Sequence, residues 1–139
     1  MNPTFTAVDD VLYNIDKTSI IRFPANKSTT FAIPESVKVI EYCGFISCLI
    51  ESIQFPSNLM TLGGWSFSRT NLRSVTIPDS VTQISSGVFA HCKFLNELVF
   101  GKGMIFVPGY IAYKSSIPSV TIPEGYVNIG GYAFDECPN

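Results

Sequence analysis

A short motif recurs along the sequence at a nearly constant interval. It is Ile-Pro or Phe-Pro in four places and Phe-Gly in a fifth, and it begins at Ile33, Phe55, Ile77, Phe100 and Ile122. The successive steps are 22, 22, 23 and 22 residues. A unit of this length is too short to enclose a core, so its apolar side chains must be buried against those of neighbouring units. The interval therefore predicts a solenoid.

Further columns of similar residues keep in register with this motif. An apolar residue stands two positions before it, and others follow its first residue by four and seven positions. Next comes an aromatic column, broken by Ala112 and otherwise made of Phe45, Phe67, Phe89 and Phe134. Small residues follow three positions later at Cys48, Thr70, Cys92, Ser115 and Cys137. Columns that recur in every unit predict a shared core, with the phenylalanines stacked as a ladder.

Each unit is predicted to contain a short strand, and strands of successive units should pair in parallel. The alternating pattern places these strands at residues 31–33, 53–55, 75–77, 98–100 and 120–122. Proline follows four of the five and suits a strand end where the chain turns a corner. A second extended stretch is expected at residues 81–84 and their counterparts. Residues 85–92 are too few for a full helix and predict a turn or a single helical turn on the convex side.

These columns resemble the BspA-like leucine-rich repeats, whose unit reads roughly L-x-x-I-x-I-P-x-x-V-x-x-I-G-x-x-A-F-x-x-C. The copy from Ile122 to Cys137 matches best and keeps Gly130, Ala133 and Phe134. The resemblance covers the chain from about Phe31 onward and implies a leucine-rich-repeat solenoid. Proteins of this type are surface adhesins, antigens or binding scaffolds with no shared chemistry, so it also implies a non-enzymatic protein-binding scaffold.

Before the repeats, the pattern predicts a β-hairpin. Residues 11–15 and 20–23 are mainly apolar and flank a four-residue turn at 16–19. We expect this hairpin, at about 11–24, to cap the first unit; a binding loop is the alternative. The predicted organisation is an N-terminal segment at 1–30 and repeats at 31–139, divided at about 31–52, 53–74, 75–97, 98–119 and 120–139.

Composition limits the kinds of partner. A net charge of −2 and a pI near 5.2 give no electrostatic footprint for nucleic acid. No stretch approaches the ~20 apolar residues of a membrane-spanning helix. The sequence therefore predicts no nucleic-acid partner and no membrane span. The last residues, 135–139, bring neither strand nor polar cap, so we expect an end-to-end or edge contact through the C-terminal repeat.

The compartment stays open at this point. The first ten residues lack a basic opening and an apolar stretch, which favours the cytoplasm. The family resemblance favours secretion or the cell surface. Asn26 begins an N-x-S/T sequon, a possible glycosylation site if the chain is secreted.

Chemistry-bearing residues predict no catalytic, cofactor or metal site. Neighbouring cysteines of the small-residue column lie two units apart, near 10 Å at ~4.8 Å per unit, which is too far for a disulfide. His91 is the sole histidine and should point outward while Cys92 points inward, so a Cys–His pair is not expected. Zinc would need further ligands at metal spacing. We therefore predict small buried thiols and no enzyme.

The predicted contact face is the outward side of the strands. It consists of small and mostly uncharged residues, namely Ser52, Gln54, Ser74, Thr76, Glu97, Val99, Ser119 and Thr121. A second candidate patch contains Tyr110 and Tyr113 in the irregular fourth repeat. The alternatives are a solvated sheet face without a ligand, and a tyrosine that refills the space left by Ala112.

Two function classes remain: a surface adhesin or antigen that binds proteins of a host or neighbouring cell, and an intracellular scaffold in a larger assembly, such as a cytoskeletal one.

Overall fold

The computed structural model describes residues 4–138, which form short strands joined by turns and contain no helix. The first three strands are β1 (Phe5–Val8), β2 (Val11–Asn14) and β3 (Ser19–Arg22). The remainder come from the repeats and are β4 (Thr30–Ala32), β5 (Val39–Ile40), β6 (Ser52–Gln54), β7 (Thr61–Leu62), β8 (Ser74–Thr76), β9 (Gln83–Ile84), β10 (Glu97–Val99), β11 (Phe106–Val107) and β12 (Asn128–Ile129).

Successive repeats stack as parallel coils, which confirms the predicted solenoid. On one side, β5, β7 and β9 pair in parallel, with Val39 opposite Thr61 and Thr61 opposite Gln83. Each of these steps equals the 22-residue interval found in the sequence. On the other side, β4 pairs with β6 and β8 pairs with β10, again in parallel.

The predicted N-terminal hairpin is present as β2 and β3, which pair antiparallel. The Asn14 side-chain oxygen closes the turn by accepting the backbone N–H groups of Thr18 and Ser19, each at 2.8 Å. Two features were not predicted. The strand β1 pairs antiparallel with β2, and β3 continues into the solenoid by pairing in parallel with β5. The hairpin is thus joined to the coils by backbone hydrogen bonds.

The phenylalanine ladder fills the core, although its membership differs from the prediction. Phe45 stacks on Phe67 at 4.8 Å between ring centroids, and Phe67 stacks on Phe89 at 5.7 Å. Phe23 extends the ladder by stacking on Phe45 at 4.8 Å. The inclusion of Phe134 was wrong, because the small Ala112 side chain separates it from Phe89. Phe134 is half-buried and meets Phe100 edge-on at 6.5 Å.

The convex side consists of turns with no helical turn in the described residues. Each turn has left-handed residues two positions before and two after the ladder position, for example Trp65 (φ 55°) and Arg69 (φ 59°) around Phe67. This geometry directs backbone N–H groups along the stack, so that Phe45 N–H donates to Ser66 O at 2.7 Å in the next coil. It also turns the flanking side chains away from the core.

Two prolines interrupt the pairing between coils near the C-terminus. Ser85 N–H donates to Leu62 O at 3.0 Å, and Asn96 N–H donates to Arg73 O at 2.9 Å. Pro108 and Pro118 occupy the same repeat positions as Ser85 and Asn96 one coil later, but proline has no N–H. The parallel pairing of β5, β7 and β9 therefore does not continue to β11, which pairs with β12 instead.

The strand placement predicted from the sequence was wrong in two respects. The observed strands at residues 30–32, 52–54, 74–76 and 97–99 begin one residue earlier than predicted. The strand predicted at residues 120–122 is absent. Because Pro118 cannot donate to the preceding coil, this segment lies beside β10 without joining its sheet.

Candidate protein-binding surfaces

The outward strand face is exposed along its whole length, as the alternation predicted. All eight candidate side chains are exposed, while the residues between them are buried or half-buried. Register places Ser74 opposite Glu97 and Thr76 opposite Val99. The face also includes Thr30 and Ala32, which lie opposite Ser52 and Gln54. Their positions relative to the Ile33 motif could have identified them from the sequence.

The missing fifth strand opens a groove at one end of this face. The groove has a volume of about 570 Å³ and lies between β10 and the segment around Ser119. Its lining includes Glu97, Val99, Ser119 and Thr121, so four predicted face residues meet there. The sequence did not predict the groove, because it depends on the missing Pro118 N–H.

Tyr110 and Tyr113 lie together on the outer surface, with ring centroids 5.6 Å apart in an edge-to-face arrangement. Tyr110 is 37% exposed and stacks on Tyr132 at 5.1 Å, and Tyr132 is itself 62% exposed. Tyr113 is half-buried, but its hydroxyl donates to the exposed Glu136 carboxylate at 2.8 Å, so neither tyrosine refills the space beside Ala112. Tyr110 occupies a left-handed turn position (φ 56°), and this directs its side chain away from the core.

Trp65 joins this aromatic patch by reaching across one coil. A β-carbon added to Gly87 would lie 2.7 Å from the indole ring, so the ring lies directly over that glycine. Trp65 thereby comes within 6.4 Å of Tyr110, two coils away, measured between ring centroids. Trp65 was noted as a bulky residue in the sequence, whereas the role of Gly87 was missed.

The cysteine column is built for hydrogen bonding as well as for small size. The Cys92 thiol donates to Phe67 O at 3.2 Å, and the Cys48 thiol donates to Phe23 O at 3.5 Å, in each case in the preceding coil. Thr70 at an equivalent site donates its hydroxyl to Phe67 O at 2.8 Å. Cysteine, serine and threonine share a small donor group, which accounts for their exchange. All four cysteines are free.

His91 and Cys92 do not form a catalytic pair. Cys92 is fully buried and faces the core, while His91 is partly exposed and lies nearly perpendicular to the Tyr113 ring, with ring centroids 5.5 Å apart. Burial raises the pKa of the Cys92 thiol, and it raises the pKa of Cys48 to about 11. These groups are protonated thiols at neutral pH and are poor nucleophiles.

Three further expectations from the sequence concern glycosylation, metal binding and membrane spanning. Asn26 is exposed in the turn between β3 and β4, beside the Lys27–Asp10 ion pair at 3.7 Å. Within residues 4–138, no three His, Cys, Asp or Glu side chains gather as potential metal ligands. The same residues include no helix that could cross a membrane.

Comparisons with solved structures place the chain among leucine-rich-repeat folds. A leucine-rich repeat protein from Eubacterium ventriosum and the pneumococcal vaccine antigen PcpA each superpose with a TM-score of 0.75 at 20% identity. Both alignments cover 98% of this chain, but 50% and 37% of those proteins. A leucine-rich cell surface protein from Faecalibacterium prausnitzii aligns at TM-score 0.58 and 21% identity, over 91% of this chain and 39% of its own. This chain thus spans half or less of these structures.

No curated protein matched the sequence. The family model for the BspA type leucine rich repeat region matches residues 15–139 with six copies. Its first copy begins within the hairpin, in agreement with the parallel pairing of β3 and β5 and with the stacking of Phe23 on Phe45. The chain therefore belongs to the BspA-type leucine-rich repeat family, whose repeats are generally non-enzymatic scaffolds.

Proposed function

We propose that this chain is a non-enzymatic protein-binding module of the surface antigen or adhesin type. The observation that carries the proposal is the row of exposed, mostly uncharged side chains along β6, β8 and β10 and the neighbouring segment at Ser119 and Thr121, on a scaffold with a buried apolar core. Two structural neighbours are described as a vaccine antigen and a cell surface protein. Location at the cell surface, and binding of host or neighbouring-cell proteins, form part of the proposal.

The strand face suits weak binding that is strengthened by multivalency. Its exposed side chains are small, and Glu97 is its one charged member among the eight candidates. Such a face lacks the arginine and aromatic anchors that dominate tight interfaces. Many copies displayed on one surface would raise the effective affinity without new contacts. The groove beside β10 and the patch of Tyr110 and Tyr113 supply deeper and more apolar secondary contacts.

Arginine substitutions test the strand face directly. Changing Gln54 and Thr76 together to arginine adds two long cations to β6 and β8, at side chains that point into solvent. We expect the folded double variant to lose capture of the partner proteins that the bead-displayed wild-type chain retains from a cell-surface extract, because bulk and charge prevent flat contact. Capture is quantified by mass spectrometry.

The matched control places the same added charge elsewhere. Asn58 and Thr82 are exposed and lie outside the strand face, so an Asn58→Arg/Thr82→Arg variant should keep its captured proteins. If the folded Gln54→Arg/Thr76→Arg variant captured the same proteins as the wild-type chain, the strand face would be rejected as the contact surface.

The last coil adds an edge contact to the proposal. Backbone N–H groups of the fourth coil donate to carbonyl oxygens of the fifth. The pairs are Tyr110 to Gly131 at 3.1 Å, Ala112 to Ala133 at 2.9 Å and Lys114 to Asp135 at 3.0 Å. The next donors in this repeat pattern belong to Tyr132, Phe134 and Glu136. We propose that a partner protein pairs with this edge by accepting these hydrogen bonds.

An intracellular scaffold within a larger assembly is the second candidate function. The free state of all four cysteines is compatible with a reducing compartment. The exposed Asn26 separates the two candidates, because a glycan found there by mass spectrometry of the native protein would place the chain in the secretory route. An unmodified chain recovered inside an intracellular complex would favour the scaffold.

A further inference from the structure

A basic groove lies on the turn side of the second and third coils, away from the strand face. It has a volume of about 400 Å³, and its lining residues are Arg69, Thr70, Asn71, His91, Lys93 and Phe94. No carboxylate belongs to this lining. The groove therefore presents cationic and hydrogen-bond-donating groups in a chain whose net charge is −2.

The repeat geometry brings the cations together. Arg69, His91 and Lys114 occupy the same left-handed turn position in three successive coils, with φ of 59°, 58° and 55°. Side chains at one repeat position rise by roughly 4.8 Å per coil. Lys93 follows His91 by two residues and adds a further cation from the same coil.

Neighbouring ion pairs leave part of this charge uncompensated. Lys114 pairs with Glu136 at 3.3 Å, and Arg73 pairs with Glu51 at 3.2 Å. Within residues 4–138, Arg69 and Lys93 form no ion pair. Both side chains belong to the lining of the groove.

The state of His91 reflects this environment. Its pKa is lowered first by partial burial and then by the positive charges of Arg69, Lys114 and Lys93, while Glu136 acts in the opposite direction. The Tyr113 ring packs nearly perpendicular to it, with ring centroids 5.5 Å apart. An anion placed among these cations would offset their repulsion of the imidazolium form.

We propose that this groove binds an oxyanion of the sulfate or phosphate type, held between Arg69, His91 and Lys93. The planar guanidinium of arginine donates two parallel hydrogen bonds to such an anion, and lysine adds a point charge. Donors that approach from two coils suit a tetrahedral ion. The Phe94 ring, 51% exposed on the groove wall, offers an apolar surface for the carbon skeleton of a sugar ester.

The test uses His91 as the reporter, since it is the only histidine in the chain. Its imidazole signals are followed by NMR against pH in untagged protein, in sodium sulfate and in sodium chloride of equal ionic strength. We expect the pKa of His91 to be higher in sulfate, because an anion that prefers the protonated imidazole must raise its proton affinity. By the same linkage, sulfate affinity should rise as pH falls through that pKa.

Variants and ligand arms give the proposal its controls. Arg69→Gln/Lys93→Gln should weaken sulfate binding at least tenfold, whereas Lys38→Gln, which removes an exposed cation outside the groove, should keep it. Tighter binding of glucose 6-sulfate than of sulfate would identify a sugar ester as the source of the oxyanion, and equal binding would identify the free ion. Equal His91 titration in sulfate and chloride, binding of unsulfated glucose, or equal losses in the Lys38 and Arg69/Lys93 variants would overturn the proposal.

Discussion

Replacing Phe67 by alanine is expected to lower the free energy of unfolding by about 3–5 kcal/mol. Phe67 is fully buried and lies between the stacked rings of Phe45 and Phe89, with Phe55 edge-on at 5.6 Å. Removing the ring leaves a cavity bounded by three coils, and rigid backbone pairing limits how far those coils can collapse into it. Equilibrium denaturation in urea, followed by far-ultraviolet circular dichroism, measures the change.

The control for this prediction is Phe106→Ala. Phe106 is 40% exposed and belongs to β11, outside the ladder. The same chemical change should therefore cost only a small part of the loss seen at Phe67, because less apolar surface leaves water there on folding. Equal losses at the two positions would contradict the view that the ladder is the main source of stability.

Replacing Gly103 by alanine is expected to destabilise the chain by about 1–3 kcal/mol although it adds a single methyl group. A β-carbon at Gly103 would lie 2.3 Å from Asp79 O and 2.4 Å from Val81 O in the preceding coil. These are backbone atoms, so the clash is relieved only if the coils move apart. That movement would also lengthen the hydrogen bond from the Lys102 backbone N–H to the Asp79 carboxylate, whose donor–acceptor distance is 2.8 Å.

Gly131→Ala provides the matched control for Gly103. Nothing lies within 4 Å of a β-carbon at Gly131, and the residue is exposed. Its replacement should leave the denaturation midpoint unchanged or slightly raised, since alanine restricts the unfolded chain. A Gly103→Ala protein as stable as wild type would mean that the fourth coil does not approach the third as closely as described.

Periodicity made the coil stack and most of its core predictable. A residue that recurs every 22 or 23 positions is buried by its own copies, and this explains why Phe45, Phe67 and Phe89 could be assigned to one ladder. Alternation within each strand likewise placed Ser52 and Gln54 on the outside. These inferences need only the order of residues and the repeat length.

Features that depend on a contact with one particular residue of another coil were not predicted. In the sequence, Pro108 and Pro118 resemble ordinary turn residues. Only the structure shows that Ser85 and Asn96, at the same repeat positions, donate backbone hydrogen bonds to the preceding coil. The strand expected at 120–122 and the groove beside β10 both depend on that loss. The contact of Trp65 with Gly87 and the basic groove around His91 similarly require knowledge of which turn residues are left-handed.

The stacking of coils at the repeat interval is tested most directly by NMR distance measurements between phenylalanine rings. In protein with selectively labelled phenylalanine, nuclear Overhauser contacts should join Phe23 to Phe45, Phe45 to Phe67 and Phe67 to Phe89, whose centroids lie 4.8, 4.8 and 5.7 Å apart. Phe134 should contact Phe100 but not Phe89. Absence of the three ladder contacts, or a contact between Phe89 and Phe134, would contradict the account.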